Sequence, residues 1–480
     1  MNTNSKFQIP NSKQIPNSKF KNSKNAVWNL ALGIWNFPAI IVFLSLLFLT
    51  PAVGRAGGPL YVNENGEAST WETSDSSPIT LNPESGSCAA FSNSETIDKL
   101  DENIAVWSDI GGLNLSFAIV EGELGSVDED NFEEFVDVIN DGINPVIFDD
   151  TGEIISAYFG ACNEYGTLGG AGPDGFLLDG NGIVESIIDG QAIFNCLCVG
   201  GCTVTPACGG GETEFTEDDL DFTMTHEIGH LLNLDHTQVN GDLATTGDGC
   251  SLDTDGDCDD LPAMYPISED AADQISLTRD DEVALLAMYG GSSLNSFCTV
   301  TGSLTDVDGN PLRCADVQAE TGDPADAIAF VSGALAEAED DNPADGYTDG
   351  EGECISGCGD FILRGLDPDK TYTITVRPID EEFIAGSSVG PCANGQLDIN
   401  EEVIAGSVNC GAGETEDLGT IQTTSEGGVV EGDRDDDDDD SVSSAFGCSM
   451  GAVDSSPLPL IGIIILAFAV MVPWRLRKTP

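Results

Sequence analysis

The three histidines of this 480-residue chain all lie in one short segment, HEIGHLLNLDH, as His226, His230 and His236. Residues four apart on a helix share a face, so His226 and His230 can bind one metal ion together. Glu227 follows His226 directly, and there it can accept a proton from a metal-bound water without being a ligand. Asn233 suits a left-handed helix stop, after which a turn can return His236 to the same ion. The spacing predicts a three-histidine metal site with Glu227 as general base.

Three neutral imidazoles with one open coordination position describe a catalytic zinc site rather than a closed structural one. Zn²⁺ polarises a substrate carbonyl and lowers the pKa of its bound water towards neutrality. The predicted cofactor is therefore Zn²⁺, and the predicted chemistry is hydrolysis. In the alternative interpretation, the histidines are ordinary core or surface residues of an amphipathic helix, but the chain has no other histidine.

Local signals predict the elements around these residues. Thr216 is followed by three acidic residues, which is typical of an N-cap and the first turn of a helix. The apolar residues from Leu220 to Leu232 then fit a mostly buried helix. Helical spacing of apolar residues also predicts a helix over Ser94–Ser108. The alternation of Leu113, Leu115, Phe117 and Ile119 predicts a strand.

The segment HEIGHLLNLDH resembles the extended zinc signature of the metzincin metalloproteases, with Asn233 where that pattern usually has Gly. Downstream, LPAMYP resembles the methionine turn, which implies that Met264 lies beneath the zinc ion. SLTRDDEVALLAMYG resembles the final helix of matrixins, and NPVIFDDTGEIISAYFG and LGGAGP resemble an upstream stretch of bacterial matrixin-like proteases. The resemblance covers residues 86–292. It implies an α+β metzincin-type catalytic domain, with a mixed sheet and an active-site helix, that hydrolyses peptide bonds in protein or peptide substrates.

The chain departs from the family pattern in three ways. It has no cysteine-switch propeptide, since its one Arg-Cys pair, Arg313-Cys314, lies outside this region. It has no further histidine for the second, structural zinc of animal matrixins. Tyr265 directly follows Met264, whereas the zinc-binding tyrosine of some members comes two residues after the methionine. Metzincins align an extended substrate along a sheet edge, but the sequence does not identify that edge.

The first 56 residues predict a secretory signal with an extended basic n-region. They contain six Lys or Arg residues and no acidic residue, and the apolar run AIIVFLSLLFL begins at Ala39. Small residues at Gly54 and Ala56 indicate cleavage after Ala56. An uncleaved N-terminal anchor is the alternative. Residues 57–85 are predicted to be a leader, with a short propeptide as a second interpretation.

The other end predicts a membrane-associated sorting segment. Leu458–Trp474 is almost entirely apolar and long enough to span a bilayer, and three basic residues follow, Arg475, Arg477 and Lys478. Together with Cys448, residues 448–480 resemble the C-terminal sorting signals of bacterial exported proteins. A permanent single-span anchor is the alternative. Residues 426–447 are predicted to be an extended acidic linker. We therefore expect an exported protein, either secreted or held at the cell envelope.

The charge of the chain excludes some partners. Its formal net charge is -68, and residues 57–450 carry 7 of its 16 basic and 83 of its 84 acidic side chains. A phosphate backbone would be repelled, so nucleic acid is excluded as a default partner. Such acidity also suits solubility in high salt or the collection of divalent cations.

The cysteines divide into two even groups. Eight lie between Cys88 and Cys258, six lie between Cys298 and Cys410, and Cys448 is left over in the sorting segment. Even counts predict disulfides within two separate domains in an oxidising compartment. The cluster CLCVGGC (Cys196, Cys198 and Cys202) could alternatively hold a metal ion, although its spacing matches no zinc pattern well.

The second domain is predicted to be all β. Short strands flank the turns at 306–311 and 367–369, and residues 296–425 resemble the carboxypeptidase regulatory-like β-sandwiches that follow many secreted enzymes. This region has no histidine and no convergent polar motif. We therefore expect it to be a spacer or stability module.

One acidic segment raises an alternative function. DTDGDCDD (Asp253, Asp255, Asp257 and Asp259) lies between Cys250 and Cys258 and fails the EF-hand template, so it is predicted to be a solvated insertion, with Ca²⁺ binding as the alternative. A different class of protein, an acidic calcium-binding envelope or adhesion protein with a vestigial zinc site, would explain such a segment. The joint presence of the three histidines, Glu227 and Met264 favours the zinc metalloendopeptidase.

Overall fold

In the computed structural model of the chain, the described residues are 58–63, 65–74, 76–136, 141–160, 162–178, 183–197, 199–200, 215–244, 250, 258–338, 354–380, 383, 389, 397, 399–424 and 449–450. The predicted signal at 1–56, the acidic linker at 426–447 and nearly all of the sorting segment lie outside them. A search of the described residues finds no helix with the length and apolarity that a membrane crossing needs.

The first half is mixed α and β. Its five-stranded sheet has the order β2-β1-β3-β5-β4, in which β4 is an edge strand antiparallel to β5 and the other neighbours are parallel. The strands are β1 (Ile79–Pro83), β2 (Phe117–Ile119), β3 (Pro145–Asp149), β4 (Gly169–Leu178) and β5 (Val184–Asn195). The helices are α1 (Asn93–Ser108), α2 (Glu133–Val136), α3 (Glu153–Tyr158), α4 (Glu217–Leu231), α5 (Ala271–Gln274) and α6 (Arg279–Tyr289).

The predicted helix over 94–108 is confirmed as α1, whereas the predicted strand over 113–119 is only partly correct. In the structure that strand is β2, which begins at Phe117. Gly112 has a φ of 97°, and residues 110–112 form a turn before the chain becomes extended. The alternation of apolar residues therefore began earlier than the strand.

In the described residues of the second half the regular elements are β-strands and one short 3-10 helix, Pro324–Asp326. A three-stranded sheet, β12-β7-β15, and a four-stranded sheet, β14-β13-β8-β9, enclose buried apolar side chains such as Val300, Phe330 and Leu363. The strands are β7 (Cys298–Thr305), β8 (Ala315–Glu320), β9 (Ile328–Val331), β10 (Glu337–Ala338), β11 (Cys354–Ser356), β12 (Asp360–Leu366), β13 (Tyr372–Pro378), β14 (Glu402–Val408) and β15 (Thr415–Gln422). A short β6 (Ile267–Ser268) in the first half pairs with β16 (Ser449–Met450). The coarse prediction, an α+β region followed by a β region, is confirmed.

Helix α6 joins the two halves through direct contacts. The guanidinium of Arg279 donates to the carbonyl of Gly365 at 2.7 Å and lies 4.4 Å from the centre of the Phe297 ring. Val283 packs against Gly365 on the same side of the helix. All described residues belong to one compact unit, 52–480. The predicted boundary at 292–296 therefore falls inside a packed region, and the division into domains stays a prediction.

The described disulfides each close within one half, as the even cysteine counts predict. They are Cys88–Cys196, Cys250–Cys258, Cys298–Cys410 and Cys354–Cys358. Because Cys196 is bonded to Cys88, it is not a free thiolate for the alternative metal cluster, whose Cys198 and Cys202 lie outside the described residues. Cys250 and Cys258 close the acidic insertion, of which Asp253, Asp255 and Asp257 are likewise outside the description.

Candidate metal centre

Helix α4, which carries His226 and His230, begins where the sequence predicts. The Thr216 hydroxyl accepts from the backbone N–H of Asp219 at 3.0 Å, and the Asp219 carboxylate accepts from the N–H of Thr216 at 2.8 Å. This reciprocal pair is a capping box, which satisfies donors that the first turn leaves unpaired. The predicted N-cap at Thr216 is confirmed.

Helix α1 holds α4 in place through buried polar contacts. Trp107 Nε1 donates to the carbonyl of Thr225 at 2.8 Å, and Thr225 Oγ1 donates to Asn103 Oδ1 at 2.9 Å. All three side chains are almost completely buried. Since Thr225 directly precedes His226, these contacts fix the turn of the helix that presents the first predicted ligand.

Two aromatic side chains complete the end of α4. Trp71 Nε1 donates to the carbonyl of Leu231 at 2.7 Å, and the Tyr289 hydroxyl donates to the carbonyl of Leu232 at 3.0 Å. The last carbonyls of a helix have no partner within it, so these bonds compensate for their burial. Asn233 follows in the left-handed conformation, with a φ of 71°. The predicted helix stop at Asn233 is confirmed.

The side chain of Asn233 makes three hydrogen bonds that a glycine at this position could not make. Its Oδ1 accepts from the N–H of Tyr61 at 2.8 Å, and its Nδ2 donates to the carbonyls of Tyr61 and Ser69 at 3.0 and 2.8 Å. The N–H of Asp235 also donates to the carbonyl of Gly58 at 3.1 Å. An N-terminal segment, residues 58–71, is therefore bonded to the loop between the second and third histidines.

The turn after Asn233 brings all three histidines together. His236 Nε2 lies 3.1 Å from His226 Nε2 and 3.0 Å from His230 Nε2. Each histidine is at most 1% exposed. Among the described residues, this is the group of three potential ligands whose atoms lie close enough together to hold a metal ion. The predicted convergence of His226, His230 and His236 is present in the structure.

The hydrogen bonds of two rings determine which nitrogens face the centre. His226 Nδ1 is 2.6 Å from the carbonyl of Ala263, and His230 Nδ1 is 2.8 Å from the carbonyl of Leu234. A carbonyl only accepts, so each Nδ1 carries the hydrogen and each Nε2 keeps its lone pair. Burial, followed by electrostatic repulsion from His236, lowers the pKa of His226 to about 3. The same two causes hold the pKa of His230 well below its usual value. Both rings are therefore neutral, which is the form that binds metals.

This arrangement fits a zinc ion. Two nitrogens bound at 2.0–2.1 Å with tetrahedral angles are about 3.3 Å apart, close to the 3.0 and 3.1 Å observed. Lone pairs that face one another in a buried space repel unless a cation or proton lies between them. The donor set, three imidazoles with backbone carbonyls behind two of them, is typical of zinc sites.

Met264 lies directly against α4. A Cβ atom at Gly229 would collide with Met264 Sδ and would lie 3.0 Å from the Trp107 ring, so only glycine allows this approach. Asp281 of α6 fixes the turn, because its carboxylate accepts from the N–H groups of Ala263 and Met264 at 2.9 and 3.1 Å. Met264 therefore packs beneath the helix turn that carries His230. Sequence reasoning missed Asp281, although the Thr278-Asp281 capping pattern marks the start of α6.

Tyr265, which follows Met264, packs against Phe383. Its ring contacts Phe383 edge-on, with a centroid distance of 5.4 Å, and the residue is 4% exposed.

Glu227 is completely buried beside His226, at the point where α4 meets strand β4. A Cβ atom at Gly169 would lie 3.1 Å from Glu227 Cγ and 2.8 Å from Thr223 Cγ2, so β4 passes the helix closely because Gly169 lacks a side chain. Strand β4, one of the two edge strands of the sheet, thus begins next to the predicted general base.

The segment after His236 is held by the β region. Gln238 is 2% exposed. Its Nε2 donates to Asp316 Oδ2 and to the carbonyl of Pro378 at 2.9 and 3.0 Å, and its Oε1 accepts from the N–H of Asp380 at 2.9 Å. No motif in the sequence marks Gln238. The predicted spacer domain therefore contacts the chain two residues from the third histidine.

Asp280 of α6 is a second residue that links the loop of His236 to the β region. Its carboxylate accepts from the N–H of Ala329 in β9 at 2.8 Å and from the hydroxyl of Thr237. Thr237 directly follows His236, and its N–H donates to the carbonyl of Met264 at 3.1 Å. The loop of the third histidine is thus bonded to the methionine turn, to α6 and to the β region.

No protein-family model matches the chain, and no curated protein matches it.

Proposed function

We propose that the chain is an exported zinc-dependent metalloendopeptidase in which His226, His230 and His236 bind Zn²⁺ and Glu227 is the general base. The observation that carries this proposal is the buried convergence of three imidazole Nε2 atoms, two of them with Nδ1 bonded to a backbone carbonyl. Such a set leaves one tetrahedral position for water or substrate.

The chain's own residues would act as follows. When bound, Zn²⁺ supplies Lewis acidity, which polarises the scissile carbonyl and makes water more acidic. Glu227 accepts a proton from the attacking water and delivers it to the nitrogen of the leaving amine. Its burial excludes competing solvent from the carboxylate. In the described part of the chain no strand pairs with the outer side of β4, and this edge beside Glu227 is where an extended peptide would add as a further strand.

Several features support a metzincin-type assignment of this fold. An edge strand antiparallel to the rest of a mixed sheet, a histidine-bearing helix, a left-handed stop at Asn233 and a methionine under the helix occur together. The four described disulfides support an oxidising compartment and therefore export. Association with the membrane through residues 448–480 is part of the same proposal.

Proteolysis and metal content test the proposal together. We expect the exported protein to cleave casein, to lose activity with a chelator and to regain it with Zn²⁺. The Glu227→Gln variant should keep one zinc ion per chain while kcat falls by about 10²–10⁴-fold, the usual contribution of a general base. Equal cleavage by wild type and variant would show that Glu227 is not the base. A folded protein that binds Ca²⁺ but no zinc would favour the acidic calcium-binding class instead.

A further inference from the structure

A cavity of about 180 Å³ lies beside strand β4, between the sheet and helix α3. Its walls are largely aromatic, and its carboxyl and amide groups, from Asp174 and Gln191, come from β4 and β5. The side chains that line it include Tyr61, Tyr158, Phe159, Phe176, Asp174 and Gln191. Gly169 and Gly190 touch α4 on one face of the sheet, whereas Gln191 and Ile193 point to the other face. The cavity is therefore on the face away from α4.

Two side-chain oxygens at this cavity are acceptors without a hydrogen-bond donor in the described part of the chain. Asp174 Oδ1 and Gln191 Oε1 are buried and have no hydrogen-bond partner in the described part of the chain. Asp189, which is 1% exposed, adds a second carboxylate close to Asp174. None of the described residues that line the cavity is basic. Buried acceptors are normally paired, so this cavity is suited to a ligand that brings donors and positive charge.

The aromatic walls of the cavity indicate which chemical groups that ligand carries. The rings of Tyr61 and Phe176 meet edge-on at 5.1 Å, and those of Tyr158 and Phe159 also meet at 5.1 Å. Faces of aromatic rings attract ammonium and guanidinium groups, and they stack on guanidinium planes. A long side chain with a cationic end matches both the walls and the acceptors.

The cavity is within reach of a peptide that lies along β4. Residues 170–174 line it, and they directly follow Gly169, which contacts Glu227. An extended peptide advances about 3.3 Å per residue and sends alternate side chains to opposite faces of the sheet. A side chain about two to four residues from the scissile bond can therefore cross the edge and enter the cavity.

We propose that this cavity is a subsite for the cationic side chain of an arginine or lysine residue in the peptide substrate. The subsite rests on the endopeptidase function proposed above and adds a substrate class to it. Asp174 is the ion partner of the bound cation, Gln191 accepts a further hydrogen bond, and the aromatic rings cover the aliphatic part of the side chain.

The ionisation of Asp174 sets a pH dependence for this subsite. Burial, followed by the charges of Asp189 and Asp141, raises the pKa of Asp174 to about 7. The other titratable groups that face it across the cavity are the phenols of Tyr61 and Tyr158. Asp174 is mostly neutral at pH 5.5 and mostly ionised at pH 8. Selection for a cationic side chain should therefore increase as the pH rises through about 7.

Peptides that differ in a single charge test the subsite. Arginine and citrulline have nearly the same shape, but only arginine is charged, so we would place each in turn at every position of a fluorogenic peptide. We expect arginine at one position to raise kcat/KM at pH 8 by about tenfold over citrulline, which corresponds to one charge-assisted contact. The preference should fall to about twofold in Asp174→Asn. It should stay unchanged in Asp130→Asn, which makes the same substitution at an exposed site.

A second variant and a binding measurement keep the test decisive. If Asp174→Asn does not fold, Tyr158→Leu removes an aromatic wall at a residue that is 45% exposed and should also reduce the preference. Fluorescence anisotropy of the same peptides on zinc-loaded Glu227→Gln measures selection without catalysis. Tighter binding of the arginine peptide without cleavage by wild type would leave the subsite standing and overturn the endopeptidase. Cleavage with no arginine preference at any position would overturn the subsite and leave the endopeptidase standing.

Discussion

The side-chain amide of Asn233 bonds both backbone groups of Tyr61, accepting from its N–H at 2.8 Å and donating to its carbonyl at 3.0 Å. These residues are 172 positions apart. The pairing attaches the N-terminal segment 58–71 to the loop between His230 and His236. It also positions the Tyr61 ring at the proposed cationic subsite.

Asn233 ends helix α4 and also bonds the N-terminal segment, and replacing it by Gly separates these two roles. Glycine tolerates the φ of 71°, so the helix stop should survive, whereas the three side-chain hydrogen bonds are lost. At about 1 kcal/mol for each bond, the free energy of unfolding should fall by about 2–3 kcal/mol. Limited proteolysis should then cut within 58–71 faster than in wild type, with little change in zinc affinity. Unchanged proteolysis would show that Asn233 does not hold the segment.

Metal binding should stabilise the fold. Zn²⁺ binds the folded histidine cluster but finds no such cluster in the unfolded chain, so zinc at 100 times Kd should add about 2.7 kcal/mol to the free energy of unfolding. Thermal melts with and without zinc measure this gain, which His236→Ala should abolish and Glu227→Gln should keep. A gain that persists in His236→Ala would locate the stabilising metal elsewhere in the chain.

The contact between Gln238 and the β region should tune the zinc site. Partners behind metal ligands commonly contribute about 10–100-fold to metal affinity, and because Gln238 acts through the backbone we expect the lower end, about tenfold, for Gln238→Ala. Chelator competition measures the affinity, and the visible spectrum of the Co²⁺-substituted protein reports ligand geometry.

Gln318→Ala is the matched control for that variant. Gln318 is equally buried and donates to the same Asp316 carboxylate at 2.6 Å, but it lies in β8 and not in the histidine loop. It should lower stability without altering zinc affinity or the cobalt spectrum. If both variants changed the spectrum alike, the effect would be general loosening rather than positioning of His236.

The raised pKa of Asp174 predicts how stability depends on pH. The pKa is about 7 in the folded protein, against a usual value of 3.8. Between these values the unfolded chain has released a proton that the folded chain keeps, so stability falls as the pH rises from about 4 to 7. Asp174→Asn should therefore melt higher than wild type at pH 8 and equally at pH 3. A melting difference that is independent of pH, or one shared by Asp130→Asn, would contradict this assignment.

Local sequence signals made the metal centre predictable. The residues that hold it in place from other parts of the chain could not be predicted. The spacing of His226 and His230, the N-cap at Thr216 and the stop at Asn233 depend on a few neighbouring residues, and these three predictions are confirmed. The partners of Gln238 lie 78 to 142 positions away, and no sequence pattern encodes such a distance. Strand β4 begins Gly-Gly-Ala-Gly-Pro, which has no apolar alternation to reveal an edge strand.

The hydrogen bonds from Gln238 and Asp280 to the β region have a consequence for any attempt to transplant the metal centre. A fragment that ended at residue 292 would expose the Gln238 amide and the Asp280 carboxylate, whose partners Asp316 and Ala329 would be missing. The histidine-bearing half consequently cannot be transferred to another protein without losing contacts that support its metal centre. Grafted or chimaeric proteins should contain both halves, with the fusion junction placed after residue 424.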